Sequence, residues 1–105
     1  MSRNATLESV IERHLCRAVK RAGGEVRKMR WIGRRGAPDR FVLLRHPVSS
    51  IFAGHSTSHL WVELKRPGGK LRPEQEREIA TMRASGCAVL VFDTKESIDF
   101  FFMEL

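Results

Sequence analysis

Cysteine is scarce in this chain: Cys16 and Cys87 are the only two among 105 residues. Two cysteines make neither a disulfide framework nor a zinc cluster, so the expected compartment is a reducing cytoplasm. No apolar run approaches the roughly 18 residues that span a bilayer, so a membrane-spanning role is not expected. The N-terminus leads into a charged helical pattern rather than a signal peptide. Internal repeats and low-complexity tracts are missing. Acidic residues are sparse in one stretch: from Arg13 to Arg45 only Glu25 and Asp39 stand against eleven Lys and Arg, a local net charge of +9.

Hydrophobic residues make up 42% of the 12.0 kDa chain, enough for one small core, so residues 1–105 are read as a single domain. The formal net charge is +7, and the basic third supplies all of it, since the remainder sums to −2. A concentrated basic field attracts polyanions, and nucleic acid is the first candidate partner. A solvated basic face with no partner is the plain alternative. An anionic membrane surface fits less well, because the basic helix has few anchoring aromatics.

Apolar residues at helical spacing predict a helix over Leu7–Ala22, with Thr6 as its cap and Gly23-Gly24 as its end. Glu25–Ile32 alternates loosely and reads as a strand, followed by a basic turn over Gly33–Pro38. Arg40–Leu44 reads as a mostly buried strand, and Pro47–Ser58 as a loop, with Ile51 and Phe52 as a small hairpin or interface patch. Leu60–Lys65 alternates strictly, with Glu63 and Lys65 on one face and Leu64 on the other. A helix follows over Pro73–Ser85, then a buried strand over Cys87–Phe92 and a short helix over Lys95–Met103. The order α-β-β-β-α-β-α implies an α/β fold with a mixed sheet flanked by helices.

The residues that carry chemistry are Pro38-Asp39, Glu63-Leu64-Lys65 and Gln75. If the second and third strands pair antiparallel, Asp39 meets the end of the third strand beside Glu63 and Lys65. Two carboxylates and a strand carbonyl form a hard-oxygen site suited to Mg2+ or Mn2+. Lys65 could serve a nucleophilic water and a phosphate, the needs of phosphodiester cleavage. The plain readings are an exposed strand pair for Glu63 and Lys65, a turn cap for Asp39 and a solvated helix residue for Gln75. The four histidines lack ligand spacing, and both cysteines sit at half-buried or core positions.

Gly36-Ala37-Pro38-Asp39-Arg40, Trp61-Val62-Glu63-Leu64-Lys65 and Arg72-Pro73-Glu74-Gln75 together resemble the signature of the VRR-NUC nucleases, a branch of the PD-(D/E)xK superfamily. Ile11-Glu12 resembles the family's N-terminal acidic motif. The resemblance implies a restriction-endonuclease-like fold and a Mg2+- or Mn2+-dependent endonuclease that cleaves branched DNA, such as four-way (Holliday) junctions, as a homodimer in a bacterial or phage-infected cell. It implies Asp39, Glu63 and the Leu64 carbonyl as metal ligands, with Lys65 serving the attacking water and Gln75 as the motif glutamine. Glu12 would approach the metal from the first helix, with Glu8 as the fallback. Arg34, Arg35, Arg40, Arg66, Lys70 and Arg72 flank these motifs and are expected on the DNA path. A catalytically inactive nucleic-acid-binding module and an RNA-cleaving nuclease stay open as alternatives.

Overall fold

In the computed structural model, which describes residues 3–50 and 55–103, the chain runs α1 (Arg3–Arg21), β1 (Glu25–Lys28), β2 (Arg40–Ser50), β3 (His55–Leu64), α2 (Pro73–Ala84), β4 (Val89–Phe92) and α3 (Lys95–Phe102). This is the expected element order. The strands form one sheet in the order β1-β2-β3-β4, antiparallel through β3 and parallel between β3 and β4. The parallel pair is joined through α2, as a crossover between parallel strands requires.

Side-chain alternation divides the core between the two faces of the sheet. Val42, Leu60, Val62, Leu64 and Phe92 pack against Ile11, Leu15, Ala18 and Val19 of α1 and Ile98 and Phe102 of α3. On the opposite face Val89 packs with Ile79 and Met82 of α2, and Trp61 and Val91 join them. Helix α2 begins with Pro73 in its first turn, where a missing N–H costs nothing. Helix α3 is capped by Thr94, whose hydroxyl accepts from the Ser97 N–H at 3.0 Å.

Several expected boundaries are corrected. Helix α1 starts at Arg3, ahead of Thr6. Strand β1 ends at Lys28, and residues 29–39 form a long connection to β2. The segment expected as a loop is instead mostly ribbon, with Val48 opposite Thr57, Ser49 opposite Ser56 and Ser50 opposite His55. Its ladder is made by the backbone, so serine, threonine and histidine side chains conceal it from a hydrophobic pattern. Pro47, which reads as a breaker, falls where the register shifts between Leu43 and Val48. Ile51 and Phe52, expected as an interface patch, lie outside the described residues. Strand β2 is less buried than expected, since Leu43 is exposed. Strand β4 starts at Val89 rather than Cys87, and Cys16 is exposed rather than half-buried. Among the described residues no helix is long and apolar enough to cross a membrane.

Candidate active site

Continuing the β2–β3 register by one step past the Arg40–Val62 pair sets Asp39 opposite Glu63. The Asp39 carbonyl is held from the other side by the Met29 N–H at 2.8 Å, so the residue continues the sheet beyond the end of β2. One step further sets Leu64 opposite Pro38. Proline has no N–H, so the Leu64 carbonyl loses the ladder donor that position 38 would otherwise supply. The Pro-Asp pair thus does two things. It places a carboxylate across from Glu63 and withholds a backbone donor from the strand carbonyl beside it.

Helix α2 closes the other wall. Gln75 is buried, and its side-chain oxygen accepts from the Arg72 N–H at 2.9 Å and from Lys65 Nζ at 2.7 Å. Both partners are donors, which fixes the orientation of the amide. Its nitrogen therefore faces Glu63 and donates to Oε2 at 3.4 Å. One glutamine thus caps its helix and ties Glu63 of β3 to Lys65, the residue just past the strand's end. Gly36, with φ +82°, lets the turn before Pro38 lie directly on this helix start. A Cβ there would stand 2.5 Å from the Glu74 carbonyl oxygen.

Asp39, Glu63, Leu64, Lys65, Gln75 and Arg72 line a common polar cleft of about 370 Å³, with Gly36, Ala37 and Glu8. Within it Glu63 is the perturbed group. Burial raises its pKa from 4.5 to about 7, the charges of Asp39 and Glu8 push the same way, and Lys65 and Arg72 oppose them. A buried carboxylate facing two more carboxylates favours a cation in the cleft. Among the described residues no three His, Cys, Asp or Glu side chains form a metal-holding group on their own. Asp39, Glu63 and the Leu64 carbonyl could serve as a donor set, all hard oxygens in an open cleft. It fits an ion such as Mg2+ or Mn2+, which takes few protein ligands and keeps several waters. It does not fit zinc, which prefers His and Cys.

The raised Glu63 pKa has a consequence for stability. The folded state holds this proton more tightly than the unfolded chain, so the contribution is complete below about pH 4.5 and is lost as pH rises through about 7. Metal-free protein is expected to lose about 2 kcal/mol over that interval, allowing for solvent at the open side of the cleft. That is roughly 10 °C in Tm for a chain of this length. Thermal melts of wild type and Glu63→Gln in chelator should diverge by this amount between pH 4.5 and 8.

Two expected site residues stand elsewhere. Glu12 does not line the cleft; its carboxylate pairs with Arg40 Nη2. Glu8, one turn earlier, is the α1 carboxylate at the cleft. Arg40, expected on the DNA path, is buried with its side chain only 9% exposed. Its Nη1 lies 2.8 Å from Asp39 Oδ1, so Arg40 joins Asp39 to Glu12. Burial works against its charge, and the two carboxylates outweigh it, raising its pKa above the ordinary arginine value. Alternation carried a signal for this, since position 40 shares the α1 face with Val42. A charge on a core face needs a partner there. Arg34 binds Glu78 of α2 through Nε and Nη2, at 2.8 and 2.6 Å. Arg35, Arg66, Lys70 and Arg72 are exposed around the motifs.

No family model matches the chain. A protein described as "Putative nuclease p44", from Acyrthosiphon pisum secondary endosymbiont phage 1, is 40% identical over 89 residues, which cover 85% of each chain. A solved structure described as "VRR_NUC domain" superposes with a TM-score of 0.73 at 29% identity, over 91% of this chain and 94% of that one. Its mixed sheet with flanking helices is thus a restriction-endonuclease-like fold, and the chain belongs to the VRR-NUC nuclease family.

Proposed function

We propose that this chain, as one nuclease domain, is a metal-dependent endonuclease that hydrolyses DNA phosphodiester bonds in branched substrates such as four-way junctions. The observation that carries this reading is the Lys65–Gln75–Glu63 chain of hydrogen bonds in the cleft that also holds Asp39. An acid, a base and a second carboxylate fixed in one polar cleft, inside a basic protein, match the needs of phosphoryl chemistry on a polyanion.

Asp39, Glu63 and the Leu64 carbonyl would hold Mg2+ or Mn2+. Bound there, the ion would neutralise charge on the scissile phosphate and make a nearby water more acidic. Lys65 then acts as a positioned cation. Its Nζ has three donors, and Gln75 takes one of them. The others can reach the attacking water and a phosphate oxygen, supplying positive charge where negative charge grows. Water oxygen bonds to phosphorus and gives up a proton to solvent as the bond to the leaving oxygen breaks, and that oxygen takes a proton from solvent. Arg35, Arg66, Lys70 and Arg72 would steer and hold the flanking backbone.

Two copies of the domain would set two cleft mouths on a two-fold-symmetric junction, which requires cuts related by that symmetry. Light scattering at micromolar concentration should then give twice the 12.0 kDa chain mass.

The decisive experiment offers end-labelled four-way junction, flap, linear duplex and matched RNA with Mg2+, Mn2+ or chelator. Cutting of the junction with either ion and none in chelator is the expected result. A protein that binds DNA but cuts nothing with any divalent ion would be an inactive binding module, and cutting confined to RNA would overturn the DNA assignment.

A further inference from the structure

The connection between β1 and β2 is braced at two points, and its tip projects between them. At the first brace, the Trp31 indole N–H donates to the Pro38 carbonyl at 2.8 Å, and the ring packs against Trp61 with centroids 5.1 Å apart. At the second, the Arg34 guanidinium is bound to Glu78, which is buried on α2. Between the braces lie Ile32 and Gly33. Ile32 is 93% exposed, and Gly33 turns the chain at φ +75° with nothing within 4 Å of a Cβ built there. A single exposed apolar residue is ordinary. An isoleucine held out on a braced tip, among the charges of Arg30, Arg34 and Arg35, is a more specific arrangement.

Its position relates it to the cleft. Gly36 and Ala37, four and five residues further on, line that cleft. Four residues span at most roughly 14 Å, so the tip reaches no further than about four base steps from a phosphate bound there.

Resting on the nuclease reading above, we propose that Ile32 is a wedge that enters between unstacked bases at a DNA branch point, with Arg30 and Arg35 against the flanking phosphates. Apolar side chains on cationic loops enter base steps in this way, and a step already unstacked at a branch offers the least resistance. The charges also choose the occupant. In a symmetric contact between two copies, the tip of each would bring Arg30 and Arg35 against those of the other, whereas DNA supplies the opposite charge. The wedge would make branch recognition a property of this tip rather than of the metal cleft.

The test uses the full chain and a four-way junction carrying 2-aminopurine beside the branch, in chelator so that nothing is cut. Saturating wild-type protein should raise the probe's fluorescence, and Ile32→Ser should remove most of that rise. Affinity for the junction should stay within about threefold, since the side chain touches nothing in the folded protein. With Mg2+ or Mn2+, Ile32→Ser should cut the junction about tenfold more slowly through lost alignment, and Ile32→Phe should recover the fluorescence and most of the rate. The wedge is overturned if saturated wild type leaves the fluorescence unchanged or if Ile32→Ser matches wild type in both assays. It is also overturned if Ile32→Ser halves the solution mass, which would make the tip a protein contact. Wild type that cuts normally while Ile32→Ser is silent sinks the wedge alone; wild type that never cuts DNA sinks the nuclease reading with it.

Discussion

Lys65→Ala is expected to slow DNA cutting by about a thousandfold or more while leaving DNA affinity within about threefold. The size follows from position. Lys65 is the cleft cation whose placement is fixed by a buried neighbour, through the 2.7 Å bond to Gln75. Its charge matters most when the phosphate gains negative charge, so its loss falls on the rate rather than on binding. The fold should survive, because Gln75 keeps its bond from the Arg72 N–H. Asp39→Asn should show the same separation. It keeps the shape and can still accept from Arg40, but removes one carboxylate from the donor set. Single-turnover cutting and gel-shift titration of the same preparations separate the two quantities. Equal losses in rate and affinity would place Lys65 among ordinary phosphate contacts.

Gly36→Ala should be nearly as damaging through a different route. A Cβ at this position has two problems: a backbone at φ +82°, and a contact of 2.5 Å with the Glu74 carbonyl oxygen. The first costs about 1–2 kcal/mol, and relieving the second about as much again. Relief means moving either the turn that carries Asp39 or the start of α2 that carries Gln75. A Tm lower by roughly 15 °C and cutting slowed about a hundredfold are expected. Gly33→Ala is the control for stability, since φ there is +75° but a Cβ meets nothing. It isolates the conformational cost, and its melt should fall by about half as much. Equal melts for the two variants would show that the turn and the helix can separate freely.

Much of this architecture was legible in the sequence because it rests on short-range rules. The alternation of Leu60 to Lys65 gave the face shared by Glu63 and Lys65. Hydrophobic periodicity gave the element order, and the run of motifs gave the family. Less legible were features that depend on pairing at a distance. Nothing local in Ser49, Ser50, Ser56 or Thr57 announces a ladder, because their backbones make it and their side chains do not. Arg40 looked like one more basic residue in a basic stretch. Only the packing of α1 on the sheet shows that Glu12 and Asp39 hold it. Glu8 and Glu12 are one helical turn apart on α1, and choosing between them required knowing where that helix ends relative to the sheet. The partnership of Arg34 with Glu78 spans 44 positions and had no local signature.

The ribbon formed by β2 and β3 has a bearing on how this small enzyme can diversify. Asp39 and Glu63 are set opposite each other by the pairing of Arg40 with Val62, at the end of the ribbon remote from the Ser50–His55 pair. Register, not loop length, fixes their spacing. Residues added between Ser50 and His55 would therefore leave the cleft end as it is. An engineer can thus attach a fluorophore or affinity tag between those two residues without disturbing the cleft.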